Sequence, residues 1–595
     1  MKKIYLFAMI AISLLLVSCA NQGTNQENTT ETLPTVYTTE SINVSEIISD
    51  DVNFDQASWE DYQDTDSQVI DGTSTNFTIT EEGTYLLQGT ITESIIVDLA
   101  DDEDVRLILD NVTISPTENA AIIILSADDV VISVLEDTIN YLSDSETYQT
   151  AYTDYNAVIY STADLAINGE GTLIIDASSN NAIQTKDDLV IVDTTIEIMS
   201  VDDGIVGRDS LLIQNASLTI EADGDGLKTT NDESPDKGYL YIESGTFNLT
   251  VGSDGIDAVN DIVIDDGNFT IISEKKGIKS DASIYLSNGT YSVESTEDAI
   301  DADGSLTVQG GTYDLQSDED AVHVNENVNL SQSDFTIQSV DDGIHADNEL
   351  VIHSGNIVIL SAFEGLEGKA ITIQGGYIDI HATDDGINAS DPDVEVIEGP
   401  NVIPNASTST GTILISGGTL IIESEDDGID ANGTFTMTGG NVFINGPTSG
   451  LQSAIDFDLE WIQSGGLLIA VAGYGNETKF PSTGSTQTTL VYNLTNVQPA
   501  NQLISLISED IALYTFTPLK SYQVVYISSP DLNQSTTYTL AVGGSSSVSS
   551  DAIYETQVEV TNATTIDTFT LDDIINTFNL DSSSTTFPPH GPGRP

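Results

Sequence analysis

Carboxylates recur through the middle of this chain in one phrase, acidic-acidic-Gly-Ile-x-Ala. It reads DDGIVG at 202, SDGIDA at 253, EDAIDA at 297, EDAVHV at 319, DDGIHA at 341, DDGINA at 384 and DDGIDA at 426. Altered copies are GDGLKT at 224, KKGIKS at 275 and FEGLEG at 363. The Gly, or the Ala in its place, falls at 204, 226, 255, 277, 299, 321, 343, 365, 386 and 428, so most steps are 22 residues. If each step is one turn of a coil, equivalent side chains stack about 4.8 Å apart. The column before the Gly then reads Asp203, Asp225, Asp254, Lys276, Asp298, Asp320, Asp342, Glu364, Asp385 and Asp427. The column two residues after it reads Val206, Lys228, Asp257, Lys279, Asp301, His323, His345, Glu367, Asn388 and Asp430.

Carboxylates stacked this closely repel unless they take up protons or share a cation. Hard oxygen ligands in a row suit calcium better than zinc, and several ions are expected. Asp298 with Asp301 and Asp320 is the first place to expect one, then Asp254 with Asp257, and Asp385 with Asp427 and Asp430. Asp342 continues the column. A further cluster is Asp202, Asp203, Asp223 and Asp225, with Asp232, Glu233 and Asp236 of the acidic insert nearby. The competing reading is that Asp simply tolerates tight corners; Asn would serve equally there, yet the column is almost all acidic. Lys275, Lys276 and Lys279 interrupt the column and would supply their own countercharge. The spacing is not that of an EF-hand. His323 and His345 stack in the second column; two histidines alone rarely complete a transition-metal site.

The elements that position these residues follow from the period. A fixed repeat of this size means a solenoid. After Asp-Gly-Ile-x-Ala come a polar corner, a strand such as 349–352, a Ser-Gly or Gly-Gly corner and a strand such as 356–359. Three short strands and three corners fit one turn of a right-handed parallel β-helix, with about 22 residues per turn. Phe247, Phe269, Tyr291, Tyr313 and Phe335 are each 22 apart and are paired, two positions on, with Leu249, Ile271, Val293, Leu315 and Ile337. Both members of each pair face the same way, so the rings are expected to stack inside. Tyr377 is out of phase with Ile378 and Ile380 and points outward, where a ring can stack on a sugar.

Several boundaries can be drawn. Residues 1–19 carry Lys2 and Lys3, an apolar run and Leu16-Val17-Ser18-Cys19. They read as a lipoprotein signal peptide with Cys19 as the lipidated residue, which places the protein on the extracellular face of a bacterial membrane. Residues 20–51 read as a disordered tether and 52–473 as the β-helix, with irregular N-terminal cap turns over 52–160. A small antiparallel β cap domain spans 474–560, and 561–595 is a flexible tail. Cys19 is the only cysteine, so no disulfide is expected. The 595 residues hold 96 acidic and 14 basic side chains, a net charge of -82. That balance excludes nucleic-acid binding by phosphate neutralisation and favours a monomer that binds cations. No Ser/His/Asp order, P-loop or dinucleotide fingerprint is present.

The segments EEGTYLLQGTI (81–91), LILDNVTI (107–114), DLAINGEGTLII (164–175), DDGIVGRDSLLI (202–213) and GDGLKTTNDESPDKGYLYIESGTF (224–247) carry a resemblance. Over about 70–450 the chain resembles the bacterial carbohydrate-binding parallel β-helix family of pectate-lyase-like proteins. The resemblance implies calcium held by the repeated Asp residues and binding of polygalacturonate- or cellulose-like polymers. KKGIKS and FEGLEG depart from the pattern. The implied function is a non-catalytic surface lipoprotein, with His323, His345 and Tyr377 as candidate glycan contacts. The first alternative is a calcium-dependent polysaccharide lyase, whose proton-abstracting base would be Arg208, Lys228 or Lys279. The second is a structural adhesin.

Overall fold

The computed structural model describes residue 54 and residues 67–580, apart from 147, 150–154, 392–409, 476–477 and 547–552. Cys19, the signal peptide, the tether, most of the loop at 390–411 and the end of the tail lie outside the described residues. Among the described residues there is no α-helix.

Parallel pairing begins where Gln68–Ile70 meets Gly83–Ile91 and continues to Thr434–Asn445 against Glu460–Ala472. One turn shows the plan: Ile300–Ala302, Leu306–Val308 and Thr312–Ser317 pair in register with Val322–Val324, Asn327–Leu330 and Ser333–Gln338 of the next. The fold is therefore a parallel β-solenoid, as the period requires.

Alternation within each strand decides what is buried. In Thr312–Ser317, Tyr313 and Leu315 are fully buried while Thr312, Asp314 and Gln316 are exposed. The five rings expected to stack do so, with centroids 4.6, 4.8, 4.7 and 4.4 Å apart and planes within 13° of parallel. Register rather than ring preference dictates this arrangement. The hydroxyls of Tyr291 and Tyr313 donate to the carbonyl oxygens of Asn288 and Gly310, each at 2.9 Å.

Close approach favours a small residue at the Gly of the repeated phrase, and alanine takes the place at Ala299 and Ala321. A Cβ at Gly343 would lie 2.6 Å from the carbonyl oxygen of Gly365 and 2.8 Å from Ile359 Cδ1. Backbone conformation demands glycine at a different corner, as at Gly289, where φ is +124°.

At the C-terminal end the last solenoid strand, Glu460–Ala472, pairs antiparallel with Tyr522–Ser528. That strand also pairs with Thr489–Gln498. The module therefore covers an open sheet edge. A five-stranded antiparallel sheet follows, ordered Tyr554–Val558, Ile511–Phe516, Ile504–Ser508, Thr536–Val542 and Thr564–Leu571. Thr564–Leu571 falls in the stretch expected as tail. Its threonines face outward and resemble linker sequence, but Phe569 and Leu571 are buried.

Candidate functional site

The acidic phrase builds a ladder whose rungs are hydrogen bonds between turns. Oδ1 of Asp203 accepts the backbone N–H of Asp225 at 2.9 Å, and Oδ1 of Asp225 accepts that of Asp254 at 2.8 Å. Asp254 accepts from Lys276 at 2.9 Å, Asp298 from Asp320 at 3.1 Å, and Asp320 from Asp342 at 2.7 Å. Asp342 accepts from Glu364 at 3.1 Å, Asp385 from Asp427 at 2.7 Å, and Asp427 from Ser453. One oxygen of each carboxylate is thus structural. An amide oxygen performs the same task at Asn181, which accepts from Asp203 at 3.0 Å. The ladder needs an acceptor and not a charge, so the preference for acid must come from the other oxygen.

The column lies opposite the apolar face, as expected, yet it is not solvent-exposed. Asp225, Asp254, Asp298, Asp320, Asp342, Asp385 and Asp427 are each at most 9% exposed. Asp202 and Asp223 are exposed, and Asp203 is half-buried. The second column covers the first. Its register runs Val206, Lys228, Asp257, Lys279, Asp301, His323 and His345. Glu367, Asn388, Asp430 and Asp456 continue it.

Countercharge divides this crease into two parts. In the N-terminal part Lys228 pairs with Asp225 and lies 3.7 Å from Asp257, which also receives Lys279 at 2.9 Å. Lys276 reaches forward one turn to Asp298 at 3.1 Å and Asp301 at 2.7 Å. An ammonium therefore already sits at Asp298 and Asp301. His323 Nδ1 is 3.3 Å from Asp301, and His345 Nδ1 is 3.6 Å from both Asp320 and Asp342. Both histidines face carboxylates and are less than one-third exposed.

The C-terminal part has Glu364, Asp385, Asn388, Asp427 and Asp430 with little to balance them. Burial, reinforced by neighbouring carboxylates, pushes Glu364 up to about 9 and Asp385 and Asp427 well above the ordinary carboxylate range. Burial raises Asp430 to about 6, although Lys479 pulls the other way. Lys479 is itself engaged by Asp456 and by the carbonyl oxygen of Phe457 at 2.9 Å. Asn388 Nδ2 donates to both oxygens of Glu364, at 3.0 and 2.9 Å. Asn388 Oδ1 is buried and accepts no hydrogen bond. Clustered buried carboxylate oxygens plus an idle amide oxygen form a donor set suited to a hard divalent cation.

The candidate bases are all committed to carboxylates. Arg208 bonds Asp209 at 3.1 Å and Glu233 at 3.0 Å, so this residue of the insert turns toward Arg208 and not toward Asp225. Lys279 also meets Asp281 at 2.9 Å. Burial opposes charge on Lys228 and Lys279, but Asp225 and Asp257 respectively outweigh it and hold both above the usual lysine value. Tyr377 is 38% exposed, as its phase predicts, and its strand neighbours in register are Asn356 and Thr419. It is one ring and not a platform.

Two features escape the sequence reading. Asp456 and Lys479 extend the crease beyond the last copy of the phrase. A second acidic group, Asp164 with Asp187 and Asp188, lies in the next column of strands. Its signal was the acidic residue opening successive second strands: Asp129, Asp164 and Asp188.

A family model described as carbohydrate-binding domain-containing protein matches residues 73–321, 273–407 and 335–472. A carbohydrate-binding domain-containing protein of Acetivibrio thermocellus is 32% identical over 207 residues, which is 33% of this chain and 65% of that relative. The chain thus spans just under two thirds of the relative's length. A solved structure titled as the polysaccharide lyase-like protein from C. thermocellum, gadolinium derivative, is 26% identical. It covers 45% of this chain and 98% of its own, with a TM-score of 0.30.

Proposed function

The chain belongs to the carbohydrate-binding domain-containing family, and from that premise we propose a calcium-loaded solenoid that binds acidic polysaccharide at the bacterial surface without cleaving it. The carrying observation is the run of oxygen donors formed by buried Asp385 and Asp427 with half-buried Glu364, Asn388 and Asp430, which Lys479 balances only in part. These residues would hold calcium. When bound, the ion neutralises the crease and offers positive charge to a polymer carboxylate. A protein of net charge -82 repels a polyuronate, so capture requires such bridging.

The non-catalytic part of the reading rests on the bases. β-Elimination needs a neutral base near the sugar, whereas Lys228 and Lys279 are held protonated by carboxylates and Arg208 is engaged by Asp209 and Glu233. Polygalacturonate beads are expected to capture the full chain in calcium and release it in chelator. Equal capture in both would overturn bridging, and an ultraviolet-absorbing unsaturated product would establish a lyase. Binding to no glycan, with calcium only raising the melting temperature, would leave the structural adhesin. The anchoring proposal rests on Cys19: Cys19→Ser should release the protein from membranes to the medium.

Lys276 makes a second prediction. Its ammonium occupies Asp298 and Asp301, so Lys276→Gln is expected to open that place and add one calcium to the stoichiometry measured by calorimetry. An unchanged stoichiometry would show that those carboxylates do not form a calcium site even when freed.

A further inference from the structure

A groove follows the solenoid at the corner between the second and third strands of each turn, whereas the acidic crease lies at the corner after the third. One wall is an outward row, Thr195, Ser217, Thr246 and Asn268, stacked in register. The other is Asp193, Asn215, Ser244 and Asp266, with Glu170 at one end, and the floor is Thr194, Ala216, Gly245 and Gly267. The aromatic stack keeps this floor bare. A Cβ at Gly267 would lie 2.7 Å from Phe269 Cε2, and one at Gly245 2.9 Å from Phe247 Cε2. The groove has a volume of about 610 Å³, within the range of about 300–1,000 Å³ seen for ligand sites.

The polar groups around it lack partners. Among the described residues, the side chains of Thr195, Ser217, Thr246 and Asn268 make no hydrogen bond to the protein. Thr194 is 3% exposed, and its hydroxyl is buried without a partner. Asp193 and Asp266 each commit one oxygen, to Asn215 Nδ2 at 2.7 Å and to the N–H of Gly267 at 2.8 Å, which leaves the second for a ligand.

The lining decides what can lie there. Both walls are polar throughout, which suits a ligand rich in hydroxyl groups. Three carboxylates and no lysine or arginine line the groove, so it repels a polyuronate. A neutral sugar hydroxyl can donate to these carboxylates and accept from the Ser, Thr and Asn row. That row repeats every 4.8 Å or about so, close to the advance of one sugar unit in an extended chain. It continues through Thr290, Thr312, Asp334 and Asn356 to the exposed ring of Tyr377, on which a sugar face can stack. Granting the carbohydrate-binding function but not its dependence on calcium, we propose that this groove binds a neutral β-1,4-linked polysaccharide laid along the solenoid axis, at a place separate from the crease.

Swollen cellulose is the probe, with starch as a neutral chain that coils instead of extending. In chelator the full chain is expected to bind the cellulose and not the starch. Combining Thr195→Ala, Ser217→Ala, Thr246→Ala and Asn268→Ala should weaken that binding at least about tenfold through the lost hydrogen bonds. Thr219, Asn248, Thr270 and Ser292 form the outward row two positions on, outside the groove. Replacing those four with alanine removes as many polar groups and should leave binding unchanged. Unaltered far-ultraviolet circular dichroism qualifies each variant as folded, and the unsubstituted chain is a test by itself. No binding to cellulose, equal binding to starch, a requirement for calcium, or equal effects of the two fourfold variants would each overturn the groove. Calcium-dependent capture on polygalacturonate beads is read separately: its failure in the unsubstituted chain would count against the crease and leave the groove standing.

Discussion

After chelation the protein is expected to melt at a higher temperature at pH 5 than at pH 8, the reverse of ordinary acid destabilisation. The groups responsible are buried acids whose folded pKa lies above the unfolded value. Burial takes Asp384 and Asp430 to about 6 and Glu364 to about 9, and lifts Asp385 and Asp427 well above the normal range. An acid raised on folding contributes stability that is complete below its unfolded pKa and is lost as pH rises through its folded pKa. Between pH 5 and 8 the crease therefore loses stability as its protons leave. The facing groups Asp426, Asp456 and Asp458 add negative charge. Lys479, which faces Asp427 and Asp430, is lowered to about 8 by burial and so keeps its charge through most of the window.

Calcium is expected to remove this slope, since it replaces the protons with fixed charge. At a hundredfold excess over its dissociation constant, each site adds about 2.7 kcal/mol. The larger gain should appear at pH 8, where the apo crease is most strained. The check is a set of calorimetric melts across pH 5 to 8, with chelator and with calcium. A chelated protein whose melting temperature rises with pH would overturn this account of the crease. Asp427→Asn keeps the ladder acceptor and removes one charge, so it should flatten the apo slope. If the slope is unchanged, its source lies elsewhere.

Tyr313→Ala is expected to cost about 3–5 kcal/mol, by transfer free energy and the cavity left behind. Tyr313 is fully buried and stacks on both sides, with centroids 4.7 Å from Tyr291 and 4.4 Å from Phe335. Each stacked pair adds about 0.5–1.5 kcal/mol beyond burial, and removing this ring loses two of them. Tyr313→Phe keeps the stack and loses only the bond to Gly310, at a cost of about 1 kcal/mol. In a solenoid each turn is supported by its neighbours alone. The alanine variant should therefore also broaden the urea transition as the two flanking arrays uncouple. Equal midpoints for the two variants would show that the stack is not a source of stability.

Much of the fold was legible because a solenoid writes its geometry as a period. The step of 22 fixed which residues stack, and alternation within each strand fixed which face is buried. Phe247 to Phe335 could be placed in the core, and Tyr377 outside it, from phase alone. Gly343 was legible as a recurring residue of the phrase, but its close approach to Gly365 was not. The C-terminal sheet was legible as strands, whereas its last strand, Thr564–Leu571, was hidden by outward threonines.

The candidate site divides along the same line. The sequence by itself determined that acidic side chains form two adjacent columns, since a column is only a period seen from the side. It could not determine which carboxylates lack a partner. Lys276 reaches forward to Asp298 and Asp301, and Lys479 enters from beyond the last repeat to meet Asp456. Long flexible side chains decide such pairings through space, and spacing along the chain does not encode their reach. Only the tertiary structure therefore moved the strongest calcium candidate from Asp298 to the stretch from Glu364 to Asp430, where Asp385 and Asp427 are buried and no lysine arrives until its end.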